Sequence, residues 1–228
     1  MKLNKPVFVI GKRADNLVEA LKESPRTITV WVRSGRFKNK FPIIRSAVVY
    51  EAKSNVDAKD YVKKFVAVLS FPKTHTKLSV LRGITPERIT QLLAFTKRDR
   101  LIRTQTHDFD RFKSKKSFSS WEKRGKTIYT LVSRNGGLAG IIWFGKKPFK
   151  NYKFTFAIRV YPPARGKGLS KKFMELVIDN FSKNHKKPSF WLKTAKGNAR
   201  ALKLYRRFGF KVIPAKEEYG EVVMTYKS

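Results

Sequence analysis

A strand, a tight glycine turn and an amphipathic helix follow one another over residues 154–181, and this order constrains the fold more than any other segment. The strand spans 154–160, the turn is Arg165-Gly166-Lys167-Gly168, and the helix spans 169–181. Unpaired N–H groups and the dipole at a helix start favour a bound anion. Glycine lets the backbone approach that anion, because it has no Cβ. The segment therefore predicts a cradle for a pyrophosphate.

Basic side chains around this turn would balance the charge of the anion. They are Arg165, Lys167, Lys171 and Lys172. The turn is neither a P-loop, since no Gly-Lys-Ser/Thr follows at the required spacing, nor a dinucleotide fingerprint. Taken alone, it is equally compatible with an ordinary helix start that contains incidental glycines.

A second pattern further along the chain resolves this choice. Asn198 suits a helix N-cap, and Gly209 suits the residue that ends the helix. Four apolar or aromatic residues share one face of the helix between them: Ala201, Leu204, Tyr205 and Phe208. Phe210 then opens another strand.

Together the two motifs resemble those of the GNAT family of N-acetyltransferases. The family's acyl-CoA motif is Arg/Gln-x-x-Gly-x-Gly/Ala, which residues 165–170 match at all but the last position. Its Asn-x-x-Ala…Tyr…Gly-Phe pattern matches at 198–210. The resemblance implies an α/β (α+β) fold, with a mixed, mostly antiparallel sheet flanked by helices. We expect a GNAT-like acyltransferase domain at 76–228, preceded by a small α/β domain of unknown role at 1–75.

The resemblance also implies roles for individual residues. The backbone amides of the turn would bind the CoA pyrophosphate, and the strand before it would pair with the pantetheine arm. Asn198 would bond near that arm, and Tyr205 would protonate the departing CoA thiolate as a general acid. Tyr205 could instead be a packing residue on its apolar face. The residues assigned to acetyl-CoA are Ile158, Arg159, Val160, Arg165, Gly166, Lys167, Gly168, Leu169, Ser170 and Asn198.

This sequence departs from the family pattern at two places. Ser170 stands where glycine or alanine is usual, although its hydroxyl could donate to a phosphate. The strand at 154–160 has no carboxylate, whereas relatives can hold a general base there. Substitutes are available in flanking segments, and an ordinary surface charge is the favoured interpretation of each: His107, Asp108, Asp110, Glu122, Glu217 and Glu218. A water relay could also take the proton from the amine, or the amine could arrive already neutral and need no general base.

The acceptor is less constrained than the donor. Lys and Arg number 52 against 16 Asp and Glu, a net charge of +36, which would attract polyanions such as RNA, DNA or ribosomes. A proteome-wide bias toward Lys is the alternative explanation of this charge. Residues 96–126, which we expect to be irregular helix and loop, combine basic residues with Phe109, Phe112, Phe118 and Trp121. These aromatics could stack on nucleic acid, but core packing is favoured.

The resemblance implies acetyl transfer to a primary amine, and the acceptor could be a small molecule or a protein. The alternative is a non-catalytic or weakly catalytic protein of the same fold that binds nucleic acid or ribosomes through its basic surface.

Several classes of protein are disfavoured. The chain has no Cys, which excludes disulfides, thiolate metal sites and a Cys nucleophile. Its three His residues show no metal-ligand spacing, so no metal is expected. The apolar run at 7–10 is too short to span a membrane. We therefore expect a cytoplasmic protein.

Hydrophobic periodicity and turn residues predict the order of elements. The N-terminal layer is predicted as β-α-β-β-α-β, with a helix after Asp15 or Asn16, a polar, basic loop at 33–40 and a linker at 72–77. Thr85 and Pro86 predict a helix start, and Asn135-Gly136 predicts a hairpin. Strands are predicted at 7–10, 27–32, 43–50, 65–71, 78–82, 127–133, 138–144, 154–160, 189–193, 211–214 and 221–226, and further helices at 57–64, 169–181 and 198–208.

Overall fold

The structure, a computed structural model, describes residues 8–11, 28–32, 48–70, 77–214 and 220–227. The chain divides into two compact units, Met1–Leu81 with Leu131–Gly137, and Arg82–Thr130 with Leu138–Ser228. The linker predicted at 72–77 lies outside the described residues except for its last residue. The domain boundary expected between residues 75 and 76 therefore stays a prediction.

The smaller unit contains a parallel three-stranded sheet in the order β1-β2-β3. Its elements are β1 (Phe8–Gly11), β2 (Ile28–Val32), β3 (Val48–Ala52), α1 (Asn55–Lys64), β4 (Phe65–Ser70) and β5 (Lys77–Arg82). Stacked rings of Tyr50 and Tyr61, 4.0 Å apart, form part of its core. The strands and the helix predicted here are confirmed where they are described. The predicted helix after Asp15 or Asn16, the loop at 33–40 and the start of the third strand lie outside the described residues.

The larger unit is built on a mixed sheet. Its strands are β6 (Lys126–Val132), β7 (Leu138–Phe149), β8 (Tyr152–Val160), β9 (Ser189–Ala195), β10 (Lys211–Ile213) and β11 (Glu221–Lys227). They follow the order β10-β11-β9-β8-β7-β6. The pairs β7/β8, β9/β11 and β10/β11 are antiparallel, and β8/β9 is parallel. The mostly antiparallel sheet is therefore confirmed, as is the hairpin, whose turn is closed by Ser133 N donating to Gly137 O at 2.9 Å.

Two helix ends of the larger unit lie where local chemistry predicts. They are α2 (Pro86–Arg98), α3 (Arg100–Gln105), α4 (Asp108–Arg111), α5 (Lys115–Glu122), α6 (Ser170–Ser182) and α7 (Ala199–Phe208). Thr85 caps α2 by accepting from Arg88 N, and Gly209 ends α7 with a φ of 111°. Both predictions are confirmed. Residues 96–126, which we expected to be irregular helix and loop, form three short helices after the end of α2.

The aromatic residues of 96–126 mostly build the core. Phe112, Phe118 and Trp121 are buried in one cluster with Trp143 of β7, which confirms the core interpretation for these three. Their rings are therefore not available to stack on nucleic acid. Phe109 is exposed, and Arg103 lies over its ring at 5.5 Å. Association with RNA or ribosomes stays a prediction from charge. None of the helices described is both long and apolar enough to cross a membrane.

Candidate active site

The glycine turn has a backbone that only glycine adopts easily. Gly166 has a φ of 78° and Gly168 a φ of 72°, both in the left-handed region. A Cβ built at either position would meet nothing within 4 Å. The glycines are therefore needed for the path of the chain, and the space in front of the turn is open.

Helix α6 starts without a side-chain cap. Leu169 is its N-cap residue, and the first backbone bond of the helix runs from Phe173 N to Leu169 O at 2.9 Å. Among the described residues, the amides of Gly168, Leu169, Ser170 and Lys171 have no acceptor. Free N–H groups at the positive end of a helix dipole suit a phosphate oxygen. The structure thus presents the donors that the predicted cradle needs.

Arg165 does not face this anion position with a free charge. Its guanidinium pairs with Asp99, with Nη1 at 3.1 Å from Oδ1 and Nη2 in contact with Oδ2. Its Nε also donates to Val160 O at 3.2 Å. Asp99 already balances this charge, and the role of countercharge that the sequence suggested for the Arg165 side chain stays a prediction. The backbone role of Arg165 stays a prediction.

Strands β8 and β9 leave an open edge between them. They pair only at Phe154↔Phe190 and Thr155↔Trp191, although β8 continues to Val160 and β9 to Ala195. A strand edge without a partner exposes N–H and C=O groups to a ligand chain. The predicted pantetheine contacts at Ile158, Arg159 and Val160 lie on this stretch. Ile158 O already accepts from the Arg159 side chain at 2.9 Å, so one carbonyl there is partly occupied.

Tyr205 lies on α7 and is 6% exposed. Its ring is 6.4 Å from that of Phe156 and 5.6 Å from that of Phe210. Burial raises the pKa of Tyr205, and the positive charge of Arg159 acts in the opposite direction. Its hydroxyl has no hydrogen-bond partner within the described residues, and it holds its proton at neutral pH. These properties are those of a proton donor that awaits a ligand, and the role stays a prediction.

Asn198 acts as the N-cap of α7. Its Oδ1 accepts from Ala201 N at 3.1 Å, which confirms the capping prediction. The side-chain oxygen already accepts one hydrogen bond, and the amide nitrogen makes none within the described residues. The predicted contact with the pantetheine arm would use that nitrogen.

Asp108 differs most from its sequence interpretation. It is 1% exposed and pairs with two arginines, with its Oδ2 at 2.6 Å from Arg159 Nε and its Oδ1 at 2.6 Å from Arg111 Nη1. The expectation of an ordinary surface charge was therefore wrong for Asp108. The two guanidinium groups contact both oxygens of this carboxylate, so Asp108 links Arg111 of α4 to Arg159 of β8.

Three of the other candidate bases lie in the part of the chain that the structure describes. Asp110 is exposed, and Glu122 is half-buried. His107 Nε2 lies 3.4 Å from Glu221 Oε1. Glu217 and Glu218 lie outside the described residues.

Sequence reasoning missed several residues that shape the site: Asp99, Arg111, Trp143 and Tyr161. Tyr161 follows β8, is buried, and stacks on Phe95 with ring centroids 4.4 Å apart. Burial raises the pKa of Tyr161, and the charges of Asp108 and Asp99 add to the rise, so this hydroxyl stays neutral. One local signal was available for Asp99. It precedes a helical run as an N-cap, and its Oδ1 accepts from Leu101 N at 3.1 Å.

The family of the chain follows from comparison with known proteins. The model of the acetyltransferase (GNAT) family matches residues 90–210, more than half of the chain and all of the segments described above from α3 to α7. The chain belongs to the GNAT family of acetyltransferases. No curated protein matches this GNAT chain in sequence.

Solved GNAT structures share its fold at low sequence identity. The GNAT domain of S. lividans PAT is 13% identical over 71% of this chain and 96% of its own, with a TM-score of 0.54. Spermidine N-acetyltransferase from Vibrio cholerae, solved with CoA and spermine, is 16% identical over 66% and 94%, with a TM-score of 0.52. Ribosomal-protein-S5-alanine acetyltransferase from Vibrio fischeri is 13% identical over 70% and 96%, with a TM-score of 0.51. At these identities the likeness shows the fold alone.

Proposed function

We propose that this GNAT protein transfers an acetyl group from acetyl-CoA to a primary amine. The uncapped first turn of α6, which follows the open edge of β8 in the chain, supports this proposal most directly. The amides of residues 168–171 would hold the pyrophosphate, and the edge at 158–160 would pair with the pantetheine arm. The Ser170 hydroxyl at the first helical position adds one further donor to a phosphate oxygen.

The chemistry needs few protein groups. The amine nitrogen attacks the thioester carbonyl, so that a C–N bond forms and the C–S bond breaks. A backbone N–H of β8 would hold the oxyanion. Tyr205 would give its proton to the departing thiolate, and water would carry the proton lost by the amine back to the tyrosine. The products are an N-acetylated acceptor and free CoA. No step uses a carboxylate of β8 as general base, because this strand has none.

Ser170→Glu tests the donor site without weakening the helix. A carboxylate in the first turn of a helix stabilises it by about 0.3–1 kcal/mol, but here it would stand where the pyrophosphate binds. We expect isothermal titration to show acetyl-CoA binding weakened at least about tenfold, the equivalent of 1.4 kcal/mol. The melting temperature should not fall.

Ser120→Glu is the matched control, because it makes the same change of charge at an exposed position of α5. It should bind acetyl-CoA almost as the unmodified protein does. Two results would overturn the proposal: binding of the unmodified protein no tighter than millimolar at physiological salt, or a Ser170→Glu variant that binds acetyl-CoA normally.

A further inference from the structure

Three cationic side chains surround a pair of buried tryptophans in the larger unit. The rings of Trp121 and Trp143 meet edge to face, 5.3 Å apart. The Arg159 guanidinium lies 4.9 Å from the centre of the Trp143 ring, and that of Arg111 lies 5.8 Å from it. Lys126 Nζ lies 5.8 Å from the Trp121 ring. We call Arg111, Lys126 and Arg159 the cation cluster.

One carboxylate forms ion pairs with this cluster. Asp108 pairs with both Arg111 and Arg159, and within the described residues no acidic side chain pairs with Lys126. Burial lowers the pKa of Lys126, and the charges of Arg124, Arg111 and Lys147 lower it further. The cluster therefore holds more positive charge than Asp108 balances, in a partly desolvated place where like charges repel strongly. An anionic ligand would relieve this repulsion.

The guanidinium of Arg111 is the group with donors to spare. Arg159 uses Nε and Nη2 on Asp108 and Nη1 on Ile158 O. Among the described residues, Arg111 donates only through Nη1, to Asp108, and its side chain is 32% exposed. A guanidinium has five N–H donors in a planar fork that fits a carboxylate with two parallel bonds. Arg111 therefore has unused N–H donors on a partly exposed side chain.

The cation cluster is linked to the proposed donor site through Arg159. Arg159 lies between Ile158 and Val160 on the open edge of β8, and Asp108 joins Arg159 to Arg111. With the thioester placed along this edge, as the proposed function requires, an anion held by Arg111 would lie on the same side of the site as the acetyl group. Trp121 and Trp143 are buried, so the cluster offers a compact anion site and no ring face for a nucleobase.

From this arrangement we infer that the acceptor carries a carboxylate near its amine, and that Arg111 binds this carboxylate. Arg159, whose guanidinium is held by Asp108, adds a second positive charge that attracts the same carboxylate. The inference rests on the proposed acetyl transfer and names its acceptor class. A polyamine acceptor would bring cations to a cationic site, which disfavours it.

Matched acceptors test the inference with the full-length protein and acetyl-CoA. Two arms compare free amino acids with their amides, and peptides whose second residue is Glu with the same peptides carrying Gln. Spermidine is the cationic comparison. Mass spectrometry would measure the acetylated product, and thiol release would give the rate. We expect the acidic member to be preferred at least about tenfold in kcat/KM in one arm, which also identifies a small-molecule or a peptide source.

Arg111→Met should remove this preference through the acceptor KM. The methionine keeps an apolar stem over Phe112 and Trp143, and we expect kcat/KM for acidic acceptors to fall about tenfold to a hundredfold. Arg111→Lys should restore part of it. Arg103→Met is the control, because Arg103 lies over the exposed Phe109 ring and does not pair with Asp108.

The inference is overturned if the uncharged acceptor is used as well as the acidic one in both arms, or if spermidine is used as well as the acidic acceptors. An Arg111→Met variant with an unchanged KM for acidic acceptors also overturns it. An absence of transfer to every acidic acceptor, in a protein that binds acetyl-CoA, also overturns it. A protein that does not bind acetyl-CoA would instead remove the proposed function.

Discussion

Asp99 holds Arg165 at the start of the glycine turn, with Arg165 Nη1 3.1 Å from Asp99 Oδ1. The same carboxylate accepts from Leu101 N and so also caps α3. Arg165 in turn donates to Val160 O at the end of β8. One buried carboxylate therefore joins the helices after α2 to the strand and the turn that form the proposed donor site.

Asp99→Asn should destabilise the protein and loosen the turn. The asparagine leaves a partly buried guanidinium without a counterion, which we expect to lower the free energy of unfolding by about 2 kcal/mol, less than for a fully buried pair. Urea unfolding would measure this change. The KM for acetyl-CoA should rise, because the turn loses a fixed contact.

Arg165→Met provides the second half of a double-mutant cycle. If the two residues act as one structural pair, the double variant should lose little more stability than either single variant. Tighter binding of acetyl-CoA by Asp99→Asn would contradict this account, since it would show that Asp99 restrains a guanidinium that otherwise binds phosphate.

Asp108→Asn should be the most damaging single change of charge in the larger unit. It leaves Arg159 and Arg111 without their shared carboxylate, and breaking a buried pair in this way costs about 3–5 kcal/mol. Asp110→Asn makes the same chemical change two residues away at an exposed position of the same helix, and should cost less than about 0.5 kcal/mol. Thermal or urea unfolding of both variants would measure the difference. Equal stabilities would show that the Asp108 pairs contribute nothing.

The sequence predicted those features that depend on neighbours along the chain. Thr85, Asn198 and Gly209 mark helix ends through local hydrogen bonds and backbone angles, and the structure confirms all three. The two long-range ion pairs could not be predicted. Asp99 and Asp108 lie 66 and 51 residues from Arg165 and Arg159, and no period or spacing marks partners at such distances. Acidic residues in a basic stretch look solvated until the fold buries them.

Gly168→Ala should destabilise the protein through its backbone alone. A Cβ at this position has open space, but the φ of 72° is unfavourable for any residue with a Cβ, at a cost of about 1–2 kcal/mol. Gly197→Ala is the control, because its Cβ also meets nothing within 4 Å and its φ is not in the left-handed region. Urea unfolding should show the loss only for Gly168→Ala. Similar losses at both positions would indicate that the strain at the turn is small.

Tyr205→Phe should slow the reaction without unfolding the protein. The hydroxyl is buried and makes no hydrogen bond within the described residues, so its removal should leave the free energy of unfolding at pH 7 unchanged or slightly raised. A thiolate leaves readily, so we expect kcat to fall by about a hundredfold, the low end of general acid catalysis. Thiol release at saturating acetyl-CoA would measure kcat. An unchanged kcat would assign Tyr205 to packing.

The pH dependence of stability provides an independent check on Tyr205. Burial raises its pKa above the ordinary value of 10.0, with Arg159 acting against the rise. Below that value both the folded and the unfolded chain keep the proton, so Tyr205 contributes no pH dependence there. Above it the unfolded chain ionises first, and stability falls as the pH rises, by at most about 1.4 kcal/mol per pH unit. Burial also raises the pKa of Tyr129 and of Tyr161, so both add a pH dependence of the same sign. The contribution of Tyr205 is therefore the difference in the free energy of unfolding between the unmodified protein and Tyr205→Phe. That difference should be constant between about pH 7 and 9, and above this range the phenylalanine variant should become relatively more stable. A constant difference up to about pH 11 would mean that Tyr205 ionises alike in the folded and the unfolded chain.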